Sequence, residues 1–138
     1  SELLKFSKIE NKKINGICLG MQLLLSQGTE FGNSKGLGIV KGNVLKFKEI
    51  KTNIGWKKLL ISSNKFYNFL NNNIKSKPFY FVHSYYCKLK NFNSIKANFK
   101  INNKLFCAIF VEKNIIGIQF HPEKSGEAGL KLLKKVLG

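Results

Sequence analysis

The 138-residue chain contains no arginine and no aspartate. All 24 basic residues are lysine and all seven acidic residues are glutamate, so the formal net charge is +17. Proteins that read nucleic-acid sequence rely on arginine, whose planar guanidinium binds guanine and phosphate bidentately. The lysines here are also scattered from Lys5 to Lys135. We therefore expect no nucleic-acid partner. A nucleic-acid binder stays open as an alternative because of the positive charge alone. The charge fits an acidic protein partner or an anionic substrate equally well.

Cysteine is scarce, and long apolar runs are missing. Cys18, Cys87 and Cys107 are an odd number without CxxC spacing. This pattern argues against a disulfide framework and a zinc knuckle, so we expect a reducing cytoplasm and no metal site. No stretch approaches the roughly 20 apolar residues of a membrane span, and no signal peptide is recognisable. These absences predict a cytoplasmic protein without a membrane partner.

The remaining pattern predicts a single α/β domain over residues 1–138. At 43% hydrophobic residues, the chain can form one core. Helices are predicted at Glu2–Lys13, at Leu19–Gln27, from an N-cap at Ser62 or Ser63, and at Glu127–Leu137. Strands are predicted at Ile14–Ile17, Gly42–Phe47, Pro78–His83, Ser94–Phe99, Leu105–Val111 and Ile115–Phe120, and a loop at Gly28–Gly38. In the last helix, the residues expected on the buried side are Ala128, Leu132, Leu133, Val136 and Leu137.

A first chemical motif is Gly16-Ile17-Cys18-Leu19-Gly20. A nucleophile in a tight strand-to-helix turn needs small neighbours, because the backbone reverses sharply around it. A cysteine there would lie at a helix N-terminus, where the helix dipole stabilises the reactive thiolate. The backbone N–H of Leu19 would face the oxyanion of a tetrahedral intermediate. Taken alone, the motif also fits a small buried cysteine beside packing glycines.

A second motif is Gln119-Phe120-His121-Pro122-Glu123. A cysteine nucleophile needs a base, and the base needs an orienting group. His121 and Glu123 could supply both from one strand end, although a simple surface turn is the alternative. The other histidine, His83, is expected to be a structural residue among aromatics. Cys107 is expected to be buried and inert.

The ordered segments resemble class I glutamine amidotransferases, and most closely the glutaminase-subunit family of imidazole glycerol phosphate synthase. The segments that carry the resemblance are Gly16–Gln22, Gly36–Gly38, Gly42–Val44, Ile54–Trp56, Phe81–Tyr86 and Gln119–Ser125. The resemblance extends from about Ile14 to Leu137. It implies a flavodoxin-like three-layer sandwich with a mixed sheet that lacks its first β-α units.

The resemblance also implies a reaction and roles for residues. Cys18 would attack the side-chain amide of glutamine, with His121 as base and acid and Glu123 orienting it. The backbone of Leu19 would serve the oxyanion. Four residues would bind glutamine: Gln22, Glu30, Ser84 and Tyr85.

The freed ammonia would pass to a (β/α)8-barrel cyclase that forms a heterodimer with this chain in histidine biosynthesis. Trp56, Tyr80 and Lys124 match the docking face of the family. Without the resemblance, the single tryptophan, Trp56, would be expected in the hydrophobic core and not at an interface. No organic cofactor is implied.

Two departures from the family keep alternatives open. Only some dozen residues precede the strand that enters Cys18, so we expect a fragment of a longer reading frame, with a degenerate, non-catalytic partner-binding copy as the alternative. Thr52-Asn53 and Lys57 flank Ile54-Gly55-Trp56 where the family usually has Pro-His and Asn. This difference leaves open a paralogue that supplies ammonia to a sugar amidotransferase in surface polysaccharide synthesis.

Overall fold

A computed structural model describes residue 5 and residues 12–28 and 36–138 of the chain. The strands are β1 (Ile14–Ile17), β2 (Leu25–Gly28), β3 (Val40–Lys46), β4 (Asn53–Lys58), β5 (Leu60–Ile61), β6 (Pro78–His83), β7 (Tyr85–Leu89), β8 (Ile95–Ile101), β9 (Lys104–Glu112) and β10 (Ile115–Ile118). The helices are α1 (Leu19–Leu23), α2 (Asn64–Phe69), α3 (Asn72–Lys75) and α4 (Gly126–Leu137), with 3₁₀ turns at Phe92–Ser94 and Pro122–Lys124.

A mixed five-stranded sheet organises the fold, with strand order β1-β10-β9-β8-β5. β1 and β10 are parallel, and their register runs from Ile14 opposite Ile115 to Ile17 opposite Ile118. The other neighbours in this sheet are antiparallel. Smaller sheets have the orders β2-β3-β7 and β4-β6. The predicted α/β class with a mixed sheet is confirmed.

Two apolar cores pack this architecture. Helix α4 contributes Ala128, Leu132 and Val136 to the larger core, which among the described residues also contains six buried phenylalanines: Phe47, Phe79, Phe81, Phe99, Phe106 and Phe120. Met21 and Leu24, in and beside α1, pack in the second core with Val44 of β3. Burial of a large apolar side chain contributes about 1.5–3 kcal/mol to folding stability relative to leaving it exposed. Burial in the two cores therefore stabilises the sheet that carries the motifs.

Several sequence predictions need correction. The helix after Cys18 ends at Leu23, and Leu25–Gly28 is strand β2 instead of the end of a nine-residue helix. The run Leu23-Leu24-Leu25 fits a buried strand as well as a helix, and pairing with β3 decides between them. Leu137 was expected to be buried but is 59% exposed. It lies off the stripe formed by Ala128, Leu132 and Val136 at i, i+4 and i+8.

Other predicted elements are confirmed. Ser63 is the N-cap of α2, where its Oγ accepts a hydrogen bond from the backbone N–H of Phe66 at 3.2 Å. Strand Ile14–Ile17 has the predicted bounds, and so does Pro78–His83. The predicted helix Glu2–Lys13 falls mainly outside the described residues, and its last two positions are not helical. Among the described residues, no helix combines the length and apolar character needed to cross a membrane.

Candidate active site

Cys18 occupies a strained turn between β1 and α1. Its backbone has φ 53° and ψ −108°, a combination that non-glycine residues rarely adopt and that costs on the order of 1–3 kcal/mol. The turn is held because the Cys18 N–H donates to the carbonyl of Ile118 at 2.7 Å and the Cys18 carbonyl accepts from Gln22 N–H at 3.2 Å. A strained cysteine between a strand and a helix is the geometry of a nucleophile elbow.

The two glycines of this motif differ in their roles. A Cβ at Gly16 would lie 2.7 Å from both the carbonyl carbon and oxygen of Gly20, so the close return of the chain requires glycine there. At Gly20, a Cβ would meet nothing within 4 Å among the described residues. The expectation that the nucleophile needs small neighbours therefore holds on steric grounds for Gly16 but not for Gly20.

His121 and Glu123 form a short ion-pair contact at the end of β10. His121 Nδ1 lies 2.6 Å from Glu123 Oε1. An ionised carboxylate can only accept, so this contact places the proton on Nδ1 and leaves Nε2 with its lone pair. The His121 N–H donates to the carbonyl of Tyr80 at 2.9 Å, which fixes the backbone next to β6.

The parallel pairing of β1 with β10 places Cys18 and His121 at the same edge of the sheet. Cys18 directly follows β1, and His121 lies three residues beyond the end of β10. Because Ile17 is opposite Ile118, the two strands end in register. The carboxyl ends of neighbouring parallel strands are the usual position of active sites in α/β sheets.

The sulfur of Cys18 has contacts with Gln119 and Val82 in the part of the chain that the structure describes. Gln119 Nε2 lies 3.8 Å from Sγ, and the carbonyl of Val82 lies 4.0 Å from it. Gln119 is 0% exposed, and its N–H donates to the carbonyl of Ala108 at 2.8 Å. Its own Oε1 is buried without a hydrogen-bond partner among the described residues. Gln119 was part of the second motif, but sequence reasoning gave it no role.

Gln22, one helical turn after Cys18, belongs to a buried hydrogen-bond network. Its Nε2 donates to the carbonyl of Tyr85 at 3.2 Å. The same carbonyl accepts from Nδ1 of His83 at 2.7 Å, and Nε2 of His83 contacts Nδ2 of Asn53 at 3.0 Å. Because a carbonyl can only accept, Nδ1 of His83 carries the proton and Nε2 accepts from the amide of Asn53.

His83 is thus neutral and satisfied, as expected for a structural histidine. It is 7% exposed, and burial is the main cause that lowers its pKa from 6.5 to about 4. The hydrogen bond to Tyr85 opposes this shift, whereas the charge of Lys57, and that of His121 when it is protonated, lower the pKa further. Burial likewise raises the pKa of the Cys107 thiol well above its usual range, which fits the predicted inert cysteine.

Ser84, Glu30 and Leu19 were also predicted to bind glutamine or its oxyanion. Ser84 Oγ and Thr52 Oγ1 are hydrogen-bonded at 2.9 Å. Thr52 and Asn53, two of the three positions where the sequence differs from the usual pattern, thus pair with the His83-Ser84 segment. Leu19 begins α1 and is 41% exposed. Glu30 lies outside the described residues.

Two of the three predicted docking residues, the exposed Trp56 and the half-buried Tyr80, form an aromatic pair beside residues 119–125. Trp56 on β4 is opposite Tyr80 on β6, and their ring centroids are 5.6 Å apart. Trp56 is 56% exposed, so the core interpretation of this tryptophan is wrong. Ser125 Oγ accepts from Tyr80 N–H at 2.9 Å, which joins the pair to the turn that contains the exposed Lys124.

Sequence reasoning missed Gln119, Asn53 and Val82 as neighbours of the candidate residues. Only the presence of Gln119 in the same motif as His121 offered a signal. Within residues 12–28 and 36–138, no cluster of three or more histidine, cysteine or acidic residues could hold a metal ion. The three cysteines, all in this part of the chain, form no disulfide.

The chain is similar to known proteins along most of its length. The chain matches the family "Glutamine amidotransferase class-I" over residues 2–137. It is 42% identical over 129 residues to "Imidazole glycerol phosphate synthase subunit HisH" of Chlorobaculum tepidum, covering 91% of this chain and 63% of that protein. The protein of the same name from Pyrococcus furiosus is 42% identical over 127 residues, with 91% and 64% covered.

Solved structures show the same fold. A structure of PurLQS from Thermotoga maritima superposes with a TM-score of 0.65 at 21% identity, covering 91% of this chain and 60% of that one. A glutamine amidotransferase crystal structure gives a TM-score of 0.63 at 13% identity, with 99% and 67% covered. The chain spans less than two thirds of the length of the curated relatives named above. Since the family match includes nearly every residue, the chain belongs to the class-I glutamine amidotransferase family.

Proposed function

We propose that this chain provides the catalytic residues for hydrolysis of glutamine to glutamate and ammonia. The observation that carries the proposal is the pairing of β1 with β10, since it brings the strained Cys18 and the His121–Glu123 pair to one sheet edge. The 42% identity to imidazole glycerol phosphate synthase subunits supports the same reaction.

In the proposed mechanism, the thiolate of Cys18 attacks the side-chain amide carbon of glutamine. The N–H of Leu19, at the start of α1, donates to the oxyanion that forms. His121 has taken the thiol proton of Cys18 at Nε2 and now delivers it to the leaving nitrogen, so ammonia departs and a glutamyl thioester remains. His121 next takes a proton from water, the resulting hydroxide attacks the thioester, and glutamate leaves as the Cys18 sulfur is restored.

Glu123 keeps His121 in the tautomer that this cycle needs. With the proton on Nδ1 held by Oε1 of Glu123 at 2.6 Å, Nε2 is the atom that exchanges protons with substrate and water. Gln22, held by the Tyr85 carbonyl, lies one turn beyond the nucleophile. Gln22, Glu30, Ser84 and Tyr85 are the residues that we propose bind the substrate glutamine.

The ammonia acceptor that we propose is a (β/α)8-barrel cyclase in histidine biosynthesis, bound as a heterodimer at Trp56, Tyr80 and Lys124. This choice is supported by the names of the relatives and by the exposure of Trp56 beside the 119–125 segment. Transfer inside a complex would keep ammonia from protonation in solvent.

Two assays test this function on the full reading frame that contains this chain, purified with its cyclase partner. Glutamate release from glutamine is measured first, and imidazole glycerol phosphate formation second. We expect Cys18→Ala to reduce glutamate release by more than about 10³-fold. Cys87→Ala, which removes the thiol of a buried cysteine away from the candidate site, serves as the matched control and should retain turnover.

Three results of these assays would contradict the proposed function or favour an alternative. Undiminished turnover in Cys18→Ala would refute the proposed chemistry. Glutaminase activity with no cyclase product would refute the proposed acceptor and favour a paralogue that serves a sugar amidotransferase. Tight partner binding without any glutaminase activity would favour a non-catalytic partner-binding domain.

A further inference from the structure

We propose that Gln119 is a further catalytic residue, whose side-chain amide donates a hydrogen bond to the thiolate of Cys18. This inference rests on the proposed role of Cys18 as the nucleophile. It extends that role, because it names the group that stabilises the reactive form of the sulfur.

The position of Gln119 follows from strand register. Ile17 is opposite Ile118 in the parallel β1–β10 pair, so the next residue on each strand, Cys18 and Gln119, lies at the same level of the sheet. The bond from Cys18 N–H to the Ile118 carbonyl at 2.7 Å extends the pairing one residue further. The backbone of Gln119 is fixed from the other side by Ala108, at 2.8 Å.

The contacts around the sulfur match its two protonation states. A thiol S–H can donate to the Val82 carbonyl, which lies 4.0 Å from Sγ. A thiolate has no proton to donate and needs a donor, and Gln119 Nε2 lies 3.8 Å from Sγ. Ionisation therefore exchanges a weak bond to a carbonyl for a charge-assisted bond from an amide.

Burial strengthens this exchange. Gln119 is 0% exposed, so water does not compete for its amide and the local dielectric constant is low. Its Oε1 is buried without a hydrogen-bond partner among the described residues. Among the described residues, the contact that is recorded for this side-chain amide is the one from Nε2 to the sulfur.

A donor of this kind is needed because helix α1 is short. It comprises only Leu19–Leu23, so few aligned peptide dipoles point at the sulfur, and the effect of a macrodipole acts only within the first turn. A side-chain donor supplies the stabilisation that a long helix would otherwise provide.

The test measures the reactivity of Cys18 towards iodoacetamide as a function of pH, without glutamine or partner. The full reading frame is used, and peptide mass spectrometry follows Cys18 separately. Cys107, which is 3% exposed, is the internal control for unfolding. We compare the wild type with Gln119→Met, which keeps the length but has no donor, and with Gln119→Glu, which places a negative charge beside the sulfur.

We expect the pH of half-maximal alkylation to rise by about one unit in Gln119→Met and by more in Gln119→Glu. Below that pH, the alkylation rate should fall by about tenfold for each unit. Asn68→Leu, which removes an amide from exposed residue 68 in α2, should leave the profile unchanged. Superimposable profiles for the wild type and both Gln119 variants would overturn the proposal.

A measurement on the wild type keeps the test valid if the variants unfold. In ¹⁵N-labelled protein, the side-chain N–H resonance of Gln119 should shift downfield with the same midpoint as Cys18 alkylation. A resonance that stays constant through that midpoint would overturn the proposal. If Cys18→Ala retained full glutaminase activity, the proposed function itself would fail, so the two failures are distinguishable.

Discussion

We expect acid to destabilise this fold through one buried side chain, His83. Its ring is 7% exposed and packs at centroid distances of 5.4–5.9 Å against Phe47, Phe81 and Phe99. Nδ1 donates to the Tyr85 carbonyl and Nε2 accepts from Asn53. Protonation would put a hydrogen on Nε2 facing the Asn53 amide, and would place a charge among phenyl rings.

The sign and size of the effect follow from the pKa of His83. Burial lowers this pKa from 6.5 to about 4 in the folded state. Between these values the unfolded chain binds a proton that the folded chain does not, so stability is complete above about pH 6.5 and falls with acidification until about pH 4. The full loss is about 3 kcal/mol, of which about 2 kcal/mol is lost between pH 7.5 and pH 5. Such a loss is a large share of the 5–15 kcal/mol that is typical of domains.

Urea denaturation at several pH values measures this effect against a matched pair of variants. In His83→Gln, which keeps an amide donor and acceptor but cannot charge, we expect the free energy of unfolding to depend less on pH by about 2 kcal/mol over the same interval. Asn68→Leu, which changes an exposed residue in α2 that cannot titrate, should retain the wild-type pH dependence. Parallel curves for the wild type and His83→Gln would refute the reasoning, whatever the absolute stability of the variant.

Two further predictions concern the docking face and helix α4. Trp56→Ala should weaken binding of the proposed cyclase by at least about tenfold in a calorimetric titration. The control Phe92→Ala truncates another exposed aromatic residue, which is 73% exposed, and should leave the affinity unchanged. Equal affinities for the wild type and Trp56→Ala would place the interface elsewhere. Leu132→Ala should cost about 2–5 kcal/mol in urea denaturation because Leu132 is 0% exposed. Leu137 is 59% exposed, so Leu137→Ala should change the free energy of unfolding by less than about 0.5 kcal/mol. Equal losses of stability in the two variants would contradict the packing described for α4.

Local patterns predicted much of the secondary structure but could not assign every apolar run. The strand before Cys18 and the helix capped by Ser63 were predicted because period and capping residues are local signals. The strands β4 and β7 were not predicted. Both have long-range partners, β6 for β4 and β3 for β7, and short polar or aromatic runs show no clear alternation. Leu25–Gln27 was predicted to be helical because a leucine run has no period that separates helix from strand, and Gly28, predicted to begin a loop, ends strand β2.

The sequence by itself determined the order and residue types of the two motifs, and the strand that precedes each. Those features were enough to predict an α/β sheet with a cysteine, a histidine and a glutamate near strand ends. Only the tertiary structure decided which residues surround the sulfur. Gln119 is 101 residues from Cys18 in the chain, and the β1–β10 register places them side by side. The carbonyl of Tyr85, which is 63 residues from Gln22, likewise joins Gln22 to His83. Contacts of this range depend on how strands pair and which side chains are buried together, and local sequence periodicity does not encode either.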